Sequence, residues 1–266
     1  MKLLAIDAGN TQTVIGLFEA KELVDHWRIA TVAERTADEL ALMIQQFLAF
    51  HGFAGFTLEV SDVAPDDPPI SGVVISSGVP RVTAELREMT DRYFGYPALV
   101  LEPGVRTGMP ILYDNPKEVG PDRIANAVAA YDLYGGPSIV VDFGTANTIE
   151  AISERGEYLG GAIFPGIEIS MDALFGRAAA LRRVELLEPR HVIGKSTVES
   201  IQSGAVYGYS GQVDALVDRF QAELGDCTVV ATGGLADPII GLSRTIQHYE
   251  PWLTLQGLRI VFERNR

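Results

Sequence analysis

Two short stretches of this chain place a carboxylate, a glycine and hydroxyl-bearing residues within a few positions of one another. Asp7 is followed by Ala8, Gly9, Asn10, Thr11, Gln12, Thr13 and Val14, and Asp142 by Phe143, Gly144 and Thr145. A strand-end aspartate followed by a bare glycine and small polar residues can seat a metal–phosphate group. Exposed backbone N–H groups hold the phosphate oxygens, and the carboxylate orients hydrated Mg2+. Asp, Gly and Asn are also common in ordinary hairpin turns, so a single copy decides nothing. Two copies 135 residues apart, in a chain of 266, favour the phosphate reading.

A third stretch, Gly120-Pro121-Asp122-Arg123, stands where a helix begins. Pro and Asp are both favoured at that position, so helix capping accounts for them locally. The chemical reading is an acid–base pair at a site edge: Asp122 accepts a hydroxyl proton while Arg123 holds an anionic substrate. An ordinary carboxylate, with pKa about 4, is too weak a base to ionise an alcohol beforehand. Its part is to orient the hydroxyl and receive the proton late. Val229-Val230-Ala231-Thr232-Gly233-Gly234 reads as a buried strand ending in bare backbone, against which a flat ring can lie. Ser196 with Glu199 fits a capping box, which makes Thr197 a first helical residue.

Other chemistries find no footing. His26, His51, His191 and His248 are dispersed without metal-ligand spacing, and there is one cysteine, so a zinc site is not expected. Neither G-x-S-x-G nor a Walker A sequence occurs. Cys227 precedes a strand-like Thr228-Val229-Val230 and reads as buried rather than reactive. Arg177, Arg182, Arg183 and Arg190 read as solvated positions.

The elements that position these residues follow from apolar periodicity. Each Asp-x-Gly stretch lies between two apolar runs, Leu3–Ile6 with Thr13–Gly16 and Ile139–Val141 with Thr148–Ile149, and reads as a β-hairpin. Thr36 and Glu39 form a capping-box signature before an apolar face of Leu40, Met43, Ile44, Phe47 and Leu48, with Gly52 past the end. Further helices are expected over Val82–Phe94, stopped by Gly95, and over Asp122–Leu133, ended by Gly135-Gly136. Two more are expected over Val198–Val206 and around Val213–Leu224. Gly72–Ser77 and Thr228–Ala231 read as strands and Ala64–Pro69 as a surface loop. The half-chain repeat implies two similarly built α/β domains, 1–117 and 118–266, with a cleft between them.

With 35 acidic and 21 basic residues, the net charge of −14 argues against a nucleic-acid partner, which needs a basic stripe. A nucleotide is still admissible, because N–H groups and a metal hold phosphate locally. The apolar run Leu3–Ile6 is too short for a signal peptide and no run approaches a membrane span. With a single cysteine, the expected location is the cytoplasm.

Asp7-x-Gly9-Asn10-Thr11 and Asp142-Phe143-Gly144-Thr145-Ala146 resemble the two phosphate motifs of the actin, Hsp70 and sugar-kinase superfamily. With Tyr113-Asp114-Asn115-Pro116, Gly120-Pro121-Asp122-Arg123 and Gly160-Gly161-Ala162-Ile163-Phe164-Pro165-Gly166, the chain is similar to type III pantothenate kinases from Asp7 to Gly234. The resemblance implies two ribonuclease H-like domains and a homodimer. It implies phosphorylation of pantothenate at the 4′-hydroxyl by ATP, with Mg2+ and a monovalent cation, K+ or NH4+. Carried over by motif, Asp7 to Val14 and Thr145 contact ATP, Asp7 reaches Mg2+ through water, and Asp142 binds the monovalent cation. Asp122 is the general base, and Tyr113, Gly120, Pro121, Asp122, Arg123 and Thr197 line the pantothenate site. Pro121 stands where a small residue such as Ala is commoner in the family. Competing expectations are a kinase of another small molecule on the same fold and a non-catalytic transcriptional accessory factor.

Overall fold

In the computed structural model, which describes residues 2–50, 70–178 and 180–266, both Asp-x-Gly stretches are the bends of antiparallel hairpins. The first joins β1 (Lys2–Ala8) to β2 (Gln12–Glu19). The chain continues through β3 (Glu22–Ala30), α1 (Ala37–Phe50), β4 (Gly72–Ser77), α2 (Pro80–Met89) and β5 (Leu99–Val100). A π-helical turn, Thr90–Phe94, prolongs α2 up to Gly95. α1 starts as read: the Thr36 N–H donates to Glu39 Oε2 at 2.8 Å, and the Glu39 N–H donates to Thr36 Oγ1 at 3.3 Å. The expected stop at Gly52 and the loop Ala64–Pro69 lie outside the described residues.

α3 (Pro121–Tyr134) then leads to the second hairpin, β6 (Ser138–Phe143) and β7 (Ala146–Ile152). After it come β8 (Tyr158–Pro165), α4 (Ile167–Arg177), α5 (Thr197–Leu224), β9 (Thr228–Thr232), α6 (Asp237–Ile240), β10 (His248–Tyr249) and α7 (Leu253–Arg264). The two stretches read as separate helices, Val198–Val206 and Val213–Leu224, are one helix, α5. Its interior holds Gly204, Gly208 and Gly211, each worth about 1 kcal/mol against a helix. Burial of Ala205, Val206, Tyr209, Val213 and Val217 along one side outweighs that propensity.

Two five-stranded sheets result, ordered β3-β2-β1-β4-β5 and β10-β9-β6-β7-β8. In each, the hairpin and its third strand are antiparallel and the remaining pairs are parallel. Substituting β6 to β10 for β1 to β5 turns one order into the other, so the sequence repeat is a repeat of topology. Register extends the match: Asp7 lies opposite Ser76, and Asp142 opposite Thr232.

The chain divides into two units, one of residues 1–108, 117–125 and 254–266, the other of 109–116 and 126–253. The sequence suggested one cut at 117/118; the packing instead returns the C-terminal helix to the first unit. Gly16 and Gly72 have no room for a side chain because Leu255 and Phe262 of α7 lie against them, and Arg259 lies over the Phe18 ring at 6.0 Å. The other face of that sheet packs Leu4, Ile6 and Ile15 on Leu40, Ile44 and Leu48 of α1 and Val82 and Leu86 of α2. In the second unit, Ile139, Val141, Phe143 and Ile149 pack on Tyr209, Val213 and Val217 of α5.

Candidate active site

Asp7 stands next to last in β1, hydrogen-bonded strands on either side fixing its backbone. The Gly9 N–H donates to the Gln12 carbonyl at 3.0 Å and closes the bend. Asn10, Thr11 and Gln12 are exposed there, so an anion can approach this stretch of the chain. Ala8 and Thr13 are buried, and the Thr13 hydroxyl is 2.8 Å from that of Thr31. The bend spans Gly9 to Thr11, three residues, whereas its counterpart spans only Gly144 and Thr145.

In the same unit Asp122 is the second residue of α3 and exposed, while Arg123 is buried. The Ile124 N–H donates to the Gly120 carbonyl at 3.1 Å, so the helix starts at Pro121, where proline loses no hydrogen bond. A side chain on Gly120 would collide with Asp122 Oδ1. The glycine is therefore what lets the carboxylate fold back over the helix start. A carboxylate in a first turn also sits favourably in the helix dipole.

Asp142, the counterpart of Asp7, accepts at Oδ2 from the Asn126 amide at 2.8 Å. Sequence reasoning missed Asn126; the available signal was one polar residue inside the buried run 125–130 of α3. Bare backbone surrounds this second bend. The Gly166 N–H donates to the Thr145 carbonyl at 3.0 Å, and a Cβ at 166 would lie 2.5 Å from the same oxygen. Gly233, at φ 98°, lies so close that its Cβ would be 2.6 Å from Asp142 Oδ1. Gly166 is itself held from α5: the Tyr209 hydroxyl is 3.1 Å from its carbonyl and 2.6 Å from Ser170 Oγ. Beside the bend, the buried Asn147 side chain and Thr148 Oγ1 find no hydrogen-bond partner among the described residues. Gly144, Thr145, Gly166 and Gly233 are thus brought together around Asp142.

Tyr113 and Thr197 belong to the second unit. Tyr113 follows a parallel bridge between Ile111 and Tyr158, and its ring centroid is 6.3 Å from that of Tyr158. Thr197 opens α5 and is exposed. Ser196 accepts from the Glu199 N–H at 3.2 Å, as a cap should. The Glu199 carboxylate does not complete the box: it accepts from the Lys195 N–H at 3.2 Å and from Arg190 at 2.7 and 2.9 Å. The Arg190 hydrogen bonds, ahead of that of Lys195, hold its pKa below the ordinary carboxylate value. No hydrogen bond or ring contact among the described residues links Thr197 to Tyr113 or Thr145. Cys227 is buried, and burial raises its thiol pKa, so the thiolate is disfavoured.

No cluster of three or more His, Cys, Asp or Glu side chains among the described residues makes a metal cage. Single carboxylates beside open backbone suit Mg2+, which keeps its waters and binds through one or two carboxylates and the phosphates of its nucleotide. The donor set at both bends, hard oxygens with N–H groups, fits such a group.

Two α/β units of one topology, each with an aspartate at its central hairpin bend, define the actin-like class of nucleotide-dependent phosphotransferases and ATPases. Solved structures share the fold: a Baf family protein from Campylobacter jejuni (TM-score 0.59, 20% identity, 98% of each chain) and component A of the (R)-2-hydroxyglutaryl-CoA dehydratase of Acidaminococcus fermentans (0.55, 13%, 98% of this chain and 96% of that one). At the sequence level the pattern described as Type III pantothenate kinase matches residues 3–219. Proteins named type III pantothenate kinase are 58% identical in Streptomyces griseus, over 99% of this chain and 98% of that one, and 52% identical in Thermobifida fusca, over 99% of each. The chain belongs to the type III pantothenate kinase family.

Proposed function

We propose that this chain transfers the γ-phosphoryl group of ATP to the 4′-hydroxyl of pantothenate, the first step of coenzyme A synthesis. The observation that carries the reading is full-length kinship at 58% identity with a protein named for this activity, in a chain that keeps Asp7, Asp122, Arg123 and Asp142.

In this reading the stretch from Asp7 to Val14, and Thr145, contact the ATP phosphates. Asp7 orients the nucleotide's hydrated metal. Arg123, with Tyr113, Gly120, Pro121 and Thr197, holds pantothenate and its carboxylate. Asp122 orients the 4′-hydroxyl and takes its proton as the oxygen attacks the γ-phosphorus. Asp7, through water, would hold Mg2+ with ATP, and Asp142 would hold K+ or NH4+; bound there, these ions would supply positive charge opposite the transferring phosphoryl.

We further place the enzyme in the cytoplasm and read it as a homodimer without nucleic-acid or membrane partners. Leu187, Val192, Ile193 and Val198 expose apolar side chains around the start of α5, Ile193 to 82%. We take these exposed aliphatic side chains as the association surface. No described helix is long and apolar enough to cross a membrane.

A coupled ADP-release assay with purified protein, ATP and pantothenate, with and without K+, tests the reading. Pantothenate-dependent turnover that rises with K+ is expected. Nucleotide binding without pantothenate-dependent ADP release would replace the kinase by a regulator.

A further inference from the structure

The second unit buries a carboxylate that the proposed mechanism does not use. Glu150 on β7 is fully buried, as is Tyr158 on β8, and the Tyr158 hydroxyl donates to Glu150 Oε2. A carboxylate inside a sheet is costly unless it is hydrogen-bonded, and an apolar residue would fill the same place at lower cost. Gly161, on the neighbouring strand, lies against it. A Cβ at Gly161 would collide with the Ile149 carbonyl and lie 2.9 Å from Glu150 Oε2, so the backbone admits only glycine there and the carboxylate lies against it.

Tyr158 is also the residue that holds Tyr113. Its N–H donates to the Pro110 carbonyl at 2.9 Å, and its carbonyl accepts from the Leu112 N–H at 2.8 Å, which lays residues 110–112 along β8. The two tyrosine rings meet at 60°, an edge-on arrangement favoured between aromatics. The Tyr113 ring lies over Gly160, whose absent Cβ would be 3.5 Å from its edge and whose φ of 129° discourages any other residue. Tyr113 is thus seated between the Tyr158 ring and bare backbone.

The geometry points to Glu150 and Tyr158 as a positioning pair for acceptor binding: the buried hydrogen bond sets the Tyr158 ring, and that ring sets Tyr113. Neither residue touches pantothenate. The inference rests on the reading of Tyr113 as part of the acceptor site, and it deepens that reading by explaining why Glu150, Tyr158, Gly160 and Gly161 occur together.

Steady-state kinetics of the full chain, with pantothenate and ATP varied separately, test it on Tyr158→Phe, Tyr113→Ala and their combination. Tyr158→Phe is expected to raise KM for pantothenate at least fivefold, while KM for ATP stays within twofold and kcat within threefold. The combined variant is expected to be no worse than Tyr113→Ala alone, because the pair acts through Tyr113. Glu150→Gln retains an acceptor for the phenol and is expected to raise KM for pantothenate less than threefold. Should Tyr158→Phe fail to fold, the double substitution Glu150→Leu/Tyr158→Phe removes both ends of this hydrogen bond and makes the same comparison. A Tyr158→Phe protein with unchanged KM for pantothenate, or one whose effect adds in full to that of Tyr113→Ala, overturns the positioning role while leaving Tyr113 in place. An unchanged KM in Tyr113→Ala overturns the acceptor role of Tyr113 itself, and the positioning role with it.

Discussion

Asp122 is a side chain whose place could be read off its neighbours. Gly120 and Pro121 are adjacent to it in sequence, so the constraints that fold its carboxylate over the helix start are local. Replacing it with Asn keeps shape and helix start but removes the proton acceptor. We expect kcat of Asp122→Asn to fall by about 10²–10⁴, with the melting temperature and ATP binding retained; a kcat near the parent's would strike Asp122 from the base role. Asp7, Gly9, Asp142 and Gly144 were legible for the same local reason. Asn126 was not, because its partner Asp142 is 16 residues away and only the fold of α3 against β6 joins them. Gly166 and Gly233 lie within sequence motifs, yet their closeness to Thr145 and Asp142 depends on strand pairing that no short window of sequence contains.

At the level of elements, periodicity located α1, α2, α3, β4 and β9 to within a residue or two at most ends, because each buries one regular face. β3, β5, β8, β10, α4, α6 and α7 are not among the expected elements: β5 and β10 have two residues each, and α7 carries Arg259 and Gly257 on surfaces that packing buries. The loop 243–245 is tied to α5 by a similar long-range device. Asp214 accepts from Ser243 Oγ at 2.6 Å and from Thr245 Oγ1 at 2.8 Å, and also from the Arg244 and Thr245 N–H groups at 3.3 Å. Burial works to raise its pKa, but these hydrogen bonds together win and hold it below the ordinary value. A pKa lower in the folded than in the unfolded chain stabilises the fold above the unfolded value, about 4, and that stabilisation is lost as pH falls through the folded value. Asp214→Asn should therefore be less stable to urea than the parent near pH 7, with the gap narrowing below about pH 4. A gap independent of pH would show that the charge of Asp214 contributes nothing.

On the scale of the whole molecule, repetition was the most informative property of the sequence, because two matching bends at half-chain spacing leave few architectures open. Where the chain ends was not legible: α7 packs against strands of the first unit more than 180 residues earlier, and Asn265 reaches the Arg106 carbonyl at 2.8 Å. A net charge of −14 makes copies of this chain repel one another, so self-association has to draw on apolar burial. Ile193, the most exposed large aliphatic side chain among those described, is the place to probe it. Sedimentation is expected to give twice the chain mass for the parent and the chain mass for Ile193→Glu. A parent sedimenting as a single chain, or a variant still at twice that mass, would remove this surface from the dimer.

The unequal surroundings of the two hairpin bends carry a consequence for how freely each can vary. The Asn10–Gln12 stretch faces outward, whereas the second hairpin has Gly166 against the Gly144 and Thr145 carbonyls and Gly233 against Asp142 and Phe143, where even a methyl group has nowhere to go. A saturation library selected for growth on the enzyme's activity should keep several residue types at Gln12 and recover almost nothing but glycine at 166 and 233. Although the two bends are built on one plan, the second leans on two glycines from elsewhere in the chain that have no substitute.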